Sequence, residues 1–195
     1  MKAHLAASAL LFTLPFALPA MAAWQLDPKQ SRVEATIIEM TPTGPVPHEH
    51  QVRQLQGDVS ADGTLRLPLR LNQTDALDKL GPLPPWLTGL TNTPIATLVT
   101  QLPPERLDAL AVGESMVETL MFSIQSEGNT QREPLALRFT RDARDVIRVT
   151  TAERIALDGR ELMANSTART VLTMLGYENI GDEVPVRLNA TLIDR

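Results

Sequence analysis

The chain contains no cysteine. Thiolate metal sites, cysteine nucleophiles and redox-active dithiols are therefore excluded, and no disulfide can stabilise the fold. Aromatic residues make up only 4% of the sequence, too few for the stacking platforms on which proteins bind bases or sugars. The net charge is −5, and the sequence has no basic run to contact nucleic-acid phosphates. We therefore expect no nucleic-acid partner, and we expect stability to come from apolar packing.

The N-terminus has the three parts of a secretory signal peptide. Lys2 gives a short positive start, an apolar run covers 5–18, and Ala20-Met21-Ala22 is an Ala-x-Ala cleavage site. The apolar run is shorter than the roughly 20 residues that cross a bilayer. We therefore expect residues 1–22 to be removed and residues 23–195 to form one domain. The mature protein is expected to be periplasmic and not membrane-spanning.

The rest of the sequence is dominated by an alternation of apolar and polar side chains. Between 64 and 72, Leu65, Leu67, Leu69 and Leu71 alternate with arginines and Pro68. Alternate side chains of a strand point to opposite faces, so this segment predicts a strand with one apolar face. We expect a charge at Leu67 to unfold the domain. Similar alternation predicts strands over 31–40, 52–60, 95–102, 114–125, 135–140, 146–154 and 183–193.

Turn and helix signals connect these strands. Asp62-Gly63 predicts a hairpin turn into the leucine strand. The segment 41–50, with three prolines and a glycine, predicts a loop. Asp158 and Glu161 have the spacing of a capping box, and Gly176 is placed to end one helix over 158–175. Short helical turns are predicted at 75–80 and 104–111.

About eight sequential antiparallel strands, each with one apolar face, predict an all-β closed barrel with one α-helix and short helical turns. Closure removes unpaired strand edges. A barrel of this size is either filled by its own side chains or holds one small ligand, and the alternation is the same in both cases. The residues that would line a ligand tunnel are Val33, Ile37, Leu67, Leu69, Phe122, Leu137, Phe139, Val186 and Leu188.

Several short motifs resemble one family across nearly all of the chain. They are Trp24-Gln25-Leu26-Asp27-Pro28, Leu55-Gln56-Gly57-Asp58-Val59, Leu110-Ala111-Val112-Gly113-Glu114, Leu175-Gly176-Tyr177 and Ile180-Gly181-Asp182-Glu183-Val184-Pro185-Val186. In these motifs the chain resembles YceI-like proteins, the periplasmic lipocalin-like barrels that bind polyisoprenoids. The resemblance implies an eight-stranded lipocalin-like barrel whose interior holds an isoprenoid or quinone-like lipid. Two features depart from the family: 51–56 has no aromatic residue, and 81–93 is rich in proline.

The only grouping of metal-ligand type is His48-Glu49-His50. With a third ligand, this His-x-His pair would suit zinc or copper. If it lies in a solvated loop, it binds nothing. If the loop lies at the barrel mouth, the histidines would contact a lipid headgroup. The solvated loop is favoured, so we predict no metal and no cofactor. Arg53 and two other rim arginines, Arg66 and Arg70, either meet a headgroup or face water.

No nucleophile motif, P-loop or dinucleotide fingerprint occurs in the sequence. The leading hypothesis is therefore a non-catalytic periplasmic carrier of an isoprenoid-type lipid. The alternative is a packed barrel without lipid that acts as a stress-related or protein-interaction module, with the segment around Trp86 as its contact surface. The protein partner, the lipid and the oligomeric state do not follow from the sequence.

Overall fold

A computed structural model describes residues 24–80, 82, 85–126 and 128–194. The expected signal peptide lies outside these residues. The strands are β1 (Trp24–Leu26), β2 (Arg32–Thr41), β3 (Gly44–Val52), β4 (Asp58–Val59), β5 (Thr64–Arg70), β6 (Pro94–Gln101), β7 (Ser115–Ser126), β8 (Asn129–Ala143), β9 (Val146–Thr151), β10 (Ile155–Asp158) and β11 (Glu183–Asp194). The helices are α1 (Pro85–Leu90), α2 (Pro104–Ala109), α3 (Gly159–Ala164) and α4 (Ser166–Met174), with 3-10 turns at Leu71–Gln73 and Leu77–Lys79.

These strands form one antiparallel sheet that closes on itself. Eight of them follow one another around the ring in the order β1, β4, β5, β6, β7, β8, β9, β11. The ring closes because β1 pairs with β4 on one edge and with β11 on the other. The β2–β3 hairpin and β10 extend the wall along the first half of β11. The predicted all-β antiparallel barrel of about eight strands is confirmed.

The leucine strand shows how the alternation builds the wall. Leu65 and Leu67 are 8% and 4% exposed and face the barrel interior, whereas Arg66 between them is exposed. Gly63 has a φ of +85°, as the predicted hairpin turn requires. The turn joins β4 to β5, and these two strands pair with each other. Pro68 lies opposite Thr97 of β6, whereas β4, whose first residue Asp58 lies opposite Arg66, does not reach as far as Pro68. The missing N–H of Pro68 therefore falls where β4 no longer runs alongside.

One end of the interior, the base, is tightly packed. Trp24, Leu107, Ile147 and Leu192 are at most 1% exposed and belong to one apolar cluster. The helix α2 crosses this end, and Trp24 Nε1 donates a hydrogen bond of 3.0 Å to Asp108 Oδ1 on it. Each fully buried side chain of this size contributes roughly 1.5–3 kcal/mol. The base therefore supplies much of the core that a chain without disulfides needs.

Arg141 ties the same helix to the wall. Its guanidinium lies 5.4 Å from the centre of the Trp24 ring, and its Nη2 donates 2.7 Å to the carbonyl of Leu107. Its Nη1 donates to the carbonyl of Arg144. This charge, only 9% exposed, is thus held by two carbonyls and an aromatic face, while its Nε is buried without a hydrogen-bond partner.

Three sequence predictions about local structure are wrong. Of the strand predicted over 52–60, only Val52, which ends β3, and β4 are strand. The segment 41–50 is not a loop, because β3 runs through Pro45 and Pro47 as an edge strand paired only with β2 along that stretch. The helix predicted over 158–175 is two helices, because the backbone of Asn165 is extended and its side chain accepts from the N–H of Ala168, which caps α4. The predicted cap at Asp158 is confirmed, since its carboxylate accepts from the N–H of Arg160.

Replacing Leu67 by alanine tests whether the leucine strand faces the core. Leu67→Ala should lower the free energy of unfolding by about 2–5 kcal/mol, because it leaves a cavity in the main apolar cluster. The neighbouring Arg66→Ala, on the exposed face, should change it by less than about 0.5 kcal/mol. Urea unfolding measures both values. Equal losses in the two variants would contradict the inward orientation of the leucines.

Candidate functional site

Above the base, the interior is lined by apolar side chains that are only partly buried. Leu69 continues the inward face of β5. Leu188 continues the inward face of β11 beyond Ala190 and Leu192, on the side away from the base. Val33 of β2 lies opposite Leu188, and Val186 lies opposite Ala35. We call Val33, Leu69, Leu98, Leu135, Val186 and Leu188 the half-buried layer; all six are partly buried.

The helix α4 crosses the barrel beyond the half-buried layer. Its Leu172 packs in a separate cluster with Ile37 and Val184, and its Val171 packs in another with Leu71 and Ala76. Neither cluster includes the buried residues of the base. The half-buried layer therefore lies between a filled base and a helix that covers the other end. An apolar layer without full burial is where a barrel of this size has room for a ligand tail.

A buried polar cluster adjoins this layer. His50, on the inward face of β3, is 7% exposed and lies opposite Ala35. Its Nδ1 is 3.2 Å from Asp75 Oδ1, and its Nε2 is 3.1 Å from the hydroxyl of Tyr177. The Asp75 carboxylate also accepts from the N–H of Gln51. An ionised carboxylate only accepts, so Nδ1 of a neutral His50 donates to Asp75 and Nε2 accepts from Tyr177.

This arrangement fixes the hydrogen-bonding character of Tyr177. Its proton is committed to His50, so its oxygen keeps lone pairs to accept from another donor. Burial, with the charges of Glu39 and Asp75, raises the pKa of Tyr177. Tyr177 therefore stays protonated and is a poor base or nucleophile. The cluster is suited to hold a polar group in place, with an acceptor at Tyr177.

His48 completes the cluster from the next inward position of β3. Its ring stacks on Tyr177 at 4.5 Å between centroids, and its Nε2 lies 2.8 Å from Glu39 Oε2. Both ring nitrogens of His50 already face Asp75 and Tyr177. Among the described residues there is no group of three or more His, Asp or Glu side chains arranged to hold a metal ion. The histidines thus belong to a strand and a hydrogen-bonded cluster, not to the loop that the prolines predicted.

The structure places the nine predicted lining residues in two groups. Leu67, Phe122, Leu137 and Phe139 are buried in the apolar cluster that extends from the base, and Ile37 is buried against α4. The remaining four, Val33, Leu69, Val186 and Leu188, lie in the half-buried layer. That these residues contact a ligand stays a prediction, and the second group is the better placed to do so.

Four site residues were not predicted from the sequence: Leu98, Leu135, Asp75 and Tyr177. Leu98 and Leu135 follow the alternation of their own strands, and this alternation could have added them to the predicted lining residues. In the structure they lie opposite Leu67 and Leu120. Tyr177 is the single tyrosine and follows a helix-ending glycine, but it reaches His50 across 127 positions of sequence. No local pattern reports such a contact.

A second, polar groove lies outside the barrel wall. It has a volume of about 780 Å³ and is lined largely by amide and charged side chains, among them Gln51, Gln54, Gln56, Lys29 and Arg32. Such a lining does not suit an apolar tail. The groove is therefore not the site that the half-buried layer defines.

The three rim arginines do not converge on the half-buried layer. Arg53 borders the polar groove and forms an ion pair with Asp78. Arg66 is exposed on the outer face of β5, and Arg70 is partly buried where β5 ends. The side chain of Trp86, proposed from sequence as a contact surface, lies outside what the structure describes.

The fold and the interior together define a lipocalin-like antiparallel barrel. No family model matches the sequence, and no curated protein matches it. A solved structure that it does match is described as a polyisoprenoid binding domain from Saccharophagus degradans implicated in plant cell wall breakdown. The two superpose with a TM-score of 0.70 at 19% identity, over 89% of this chain and 99% of that chain. The resemblance to YceI-like barrels is thus confirmed in the fold, in a divergent sequence.

Within the described residues, no helix combines the length and the apolar character that crossing a membrane requires.

The buried His50 predicts a loss of stability in mild acid. Burial lowers the pKa of His50, with the hydrogen bond to Asp75 opposing it. As the pH falls below about 6.5, the unfolded chain binds a proton at this site before the folded chain does, so the free energy of unfolding decreases. The decrease for this group ends once the pH is below its folded pKa.

Urea unfolding at about pH 7.5 and pH 5.5 measures this effect, since the free energy of unfolding follows the difference in bound protons. The difference between the two values should be smaller in His50→Gln than in the wild type, because the variant cannot take up this proton. A variant with the same or a larger difference would show that His50 is not held neutral in the folded protein.

Proposed function

We propose that the protein is a non-catalytic periplasmic carrier of an isoprenoid-type amphiphilic lipid. The observation that carries the proposal is the half-buried layer, an apolar region between a packed base and α4. The similar fold of the polyisoprenoid-binding domain supports the class of ligand. The periplasmic location rests on the signal peptide expected at residues 1–22.

The tail would lie in the half-buried layer and the polar end would reach the His50–Tyr177 cluster. Apolar burial drives binding in such a site, and a few polar groups orient the ligand. The polar cluster is close to the half-buried layer, because Ala35 alone lies between His50 of β3 and Val186 of β11 in the cross-strand register. Since Tyr177 presents an acceptor, the preferred ligand carries a hydroxyl at its polar end, as an isoprenoid alcohol or a reduced quinone does.

Filling the half-buried layer should displace the lipid. Leu188→Trp adds bulk inside the barrel, whereas Arg187→Trp adds the same side chain on the exposed outer face. Protein purified from the periplasm is extracted with organic solvent, and the extract is quantified by mass spectrometry. The wild type and Arg187→Trp should carry about one lipid per chain, and Leu188→Trp should carry several-fold less.

Overpacking can also destabilise the barrel, so Leu69→Phe serves as a milder filling variant and circular dichroism checks the fold. Repeatedly empty extracts from the wild type would refute lipid binding. Equal loading of Leu188→Trp and Arg187→Trp would place any bound lipid outside the half-buried layer.

Tyr177→Phe tests the polar end separately. Removing the hydroxyl should weaken binding of an isoprenoid alcohol about three- to tenfold, the value of one ordinary hydrogen bond. Binding of the matching hydrocarbon, which has no hydroxyl, should not change. Fluorescence competition measures both affinities. An equal effect on the alcohol and the hydrocarbon would show that Tyr177 acts through packing rather than through its oxygen.

A further inference from the structure

The two ring nitrogens of His50 respond differently to a proton. Nδ1 of His50 donates to Asp75 whether the ring is neutral or charged, because an ionised carboxylate only accepts. Nε2, which lies 3.1 Å from the hydroxyl of Tyr177, accepts from it while the ring is neutral and can only donate to it once the ring is charged. A proton on His50 therefore reverses the hydrogen bond to Tyr177 and leaves the one to Asp75 unchanged.

The reversal changes what Tyr177 offers to a ligand. While His50 is neutral, the single hydroxyl proton of Tyr177 points to Nε2, and the Tyr177 oxygen offers only lone pairs. Once His50 donates to that oxygen, the O–H of Tyr177 must turn to a different acceptor. Among the residues that the structure describes, the hydroxyl of Tyr177 has one hydrogen-bond partner, His50. The O–H that protonation frees is therefore available to a ligand.

The cluster can hold a protonated His50 without coming apart. Asp75 Oδ1, 3.2 Å from Nδ1, forms an ion pair with the charged ring. Burial lowers the pKa of His50, and nearby positive charge lowers it further, so the ring is neutral near pH 7 and takes up its proton in mild acid. The titratable and charged groups that face His50 and Tyr177 are Glu39, His48, Asp75 and Lys79.

His48 does not control the hydroxyl of Tyr177 in the same way. Its Nε2 lies 2.8 Å from Glu39 Oε2, and it contacts Tyr177 through the stacked rings, with 4.5 Å between their centroids. A proton on His48 therefore leaves the hydrogen bond between Tyr177 and His50 as it was. Because His48 and His50 lie two positions apart on one strand and contact the same tyrosine, His48 is the matched control for His50.

Ligands that only accept hydrogen bonds distinguish the two states of the cluster. A ketone or quinone carbonyl meets the lone pairs of Tyr177 while His50 is neutral, and it receives the O–H of Tyr177 once His50 is charged. An alcohol both donates and accepts, so it finds a hydrogen bond in either state. We propose that the protonation state of His50 selects the ligand class: alcohols and hydroquinones when it is neutral, and carbonyl compounds as well when it is charged. This inference rests on the proposed function, because it requires the polar end of the ligand at Tyr177.

Three ligands with one carbon skeleton test the selection: farnesylacetone, the secondary alcohol made by reducing its carbonyl, and the hydrocarbon that lacks the oxygen. Fluorescence competition gives their affinities for the mature protein between about pH 7.5 and about pH 4.5, the range in which a buried histidine titrates. Circular dichroism checks the fold at each pH. Affinity for the ketone should rise about three- to tenfold on acidification, the value of one hydrogen bond. Affinities for the alcohol and the hydrocarbon should change by less than this.

His50→Gln, His48→Gln and Tyr177→Phe locate the effect. His50→Gln takes up no proton at this position, so its affinity for the ketone should not rise in acid. His48→Gln should show the same rise as the wild type. Tyr177→Phe has no hydroxyl to turn and should bind the ketone equally at both ends of the pH range. A rise that persists in His50→Gln, or one that is lost equally in His48→Gln, would overturn the proposal.

The coupling between ligand and proton is reciprocal, which gives a second readout. If the ketone prefers the protonated form three- to tenfold, its binding should raise the pKa of His50 by about 0.5–1, and the alcohol should not. NMR titration of the His50 ring measures both. A ring that does not titrate before the protein unfolds, or a pKa that the ketone leaves unchanged, would show that the proposal is wrong.

The outcomes separate this inference from the proposed function. If the alcohol binds and the affinity for the ketone does not rise in acid, the inference alone fails. If none of the three ligands binds at any pH, the proposed function has failed and the inference with it.

Discussion

The pairing of β11 on both of its edges is the constraint on which the rest of the structure depends. Near its end, Leu192 lies opposite Leu26 of β1 on one side and Ile147 of β9 on the other. Earlier in the strand, Val186 lies between Ala35 of β2 and Ile155 of β10. One strand thus joins the two ends of the sheet and converts it into a ring. Without this closure there would be no enclosed interior.

The short connection between β1 and β2 allows both strands to pair with the same edge of β11. Asp27 donates its N–H to the carbonyl of Thr191, and the N–H of Thr191 donates to the hydroxyl of Ser31. The short turn between these residues therefore replaces the missing rungs of the ladder. Ser31, at 2% exposure, is a buried polar residue with its hydrogen bond made, so the wall stays continuous there.

Closure has different consequences at the two ends. At the base, large side chains and α2 fill the space, so this end provides stability and excludes a ligand. Towards α4, the inward residues are partly buried and the covering helix packs in clusters of its own. Burial of a lipid tail there would complete the apolar contacts that the side chains do not make among themselves. On the proposed function, stability and lipid binding would thus belong to opposite ends of one barrel.

Much of the fold could be predicted because strand alternation and turn chemistry are local. Leu65, Leu67 and Leu69 signal an inward face, Gly63 supports a left-handed turn, and Asp158 caps a helix; each effect acts within a few residues. The strand β3 could not be predicted, because prolines break an interior strand but are accommodated on an edge. Whether an edge is free depends on distant pairing, which the sequence does not show.

The candidate site was predictable only in part, for a related reason. Alternation identifies which residues face inward, and Val33 and Leu188 are found in this way. It does not report how far the opposite wall is, so a buried Leu67 and a half-buried Leu69 look alike in the sequence. The cluster of His50 with Asp75 and Tyr177 depends on closure and on the path of the chain after α4.

The central claim, that the lipid occupies the half-buried layer, is tested most directly by photocrosslinking. Mature protein is loaded with an isoprenoid alcohol that carries a diazirine in its tail, irradiated, digested and mapped by mass spectrometry. The account predicts crosslinks to peptides containing Val33, Leu69 and Leu188, and none to base residues such as Ile147. Crosslinks confined to the base or to the outer face of the barrel would contradict it.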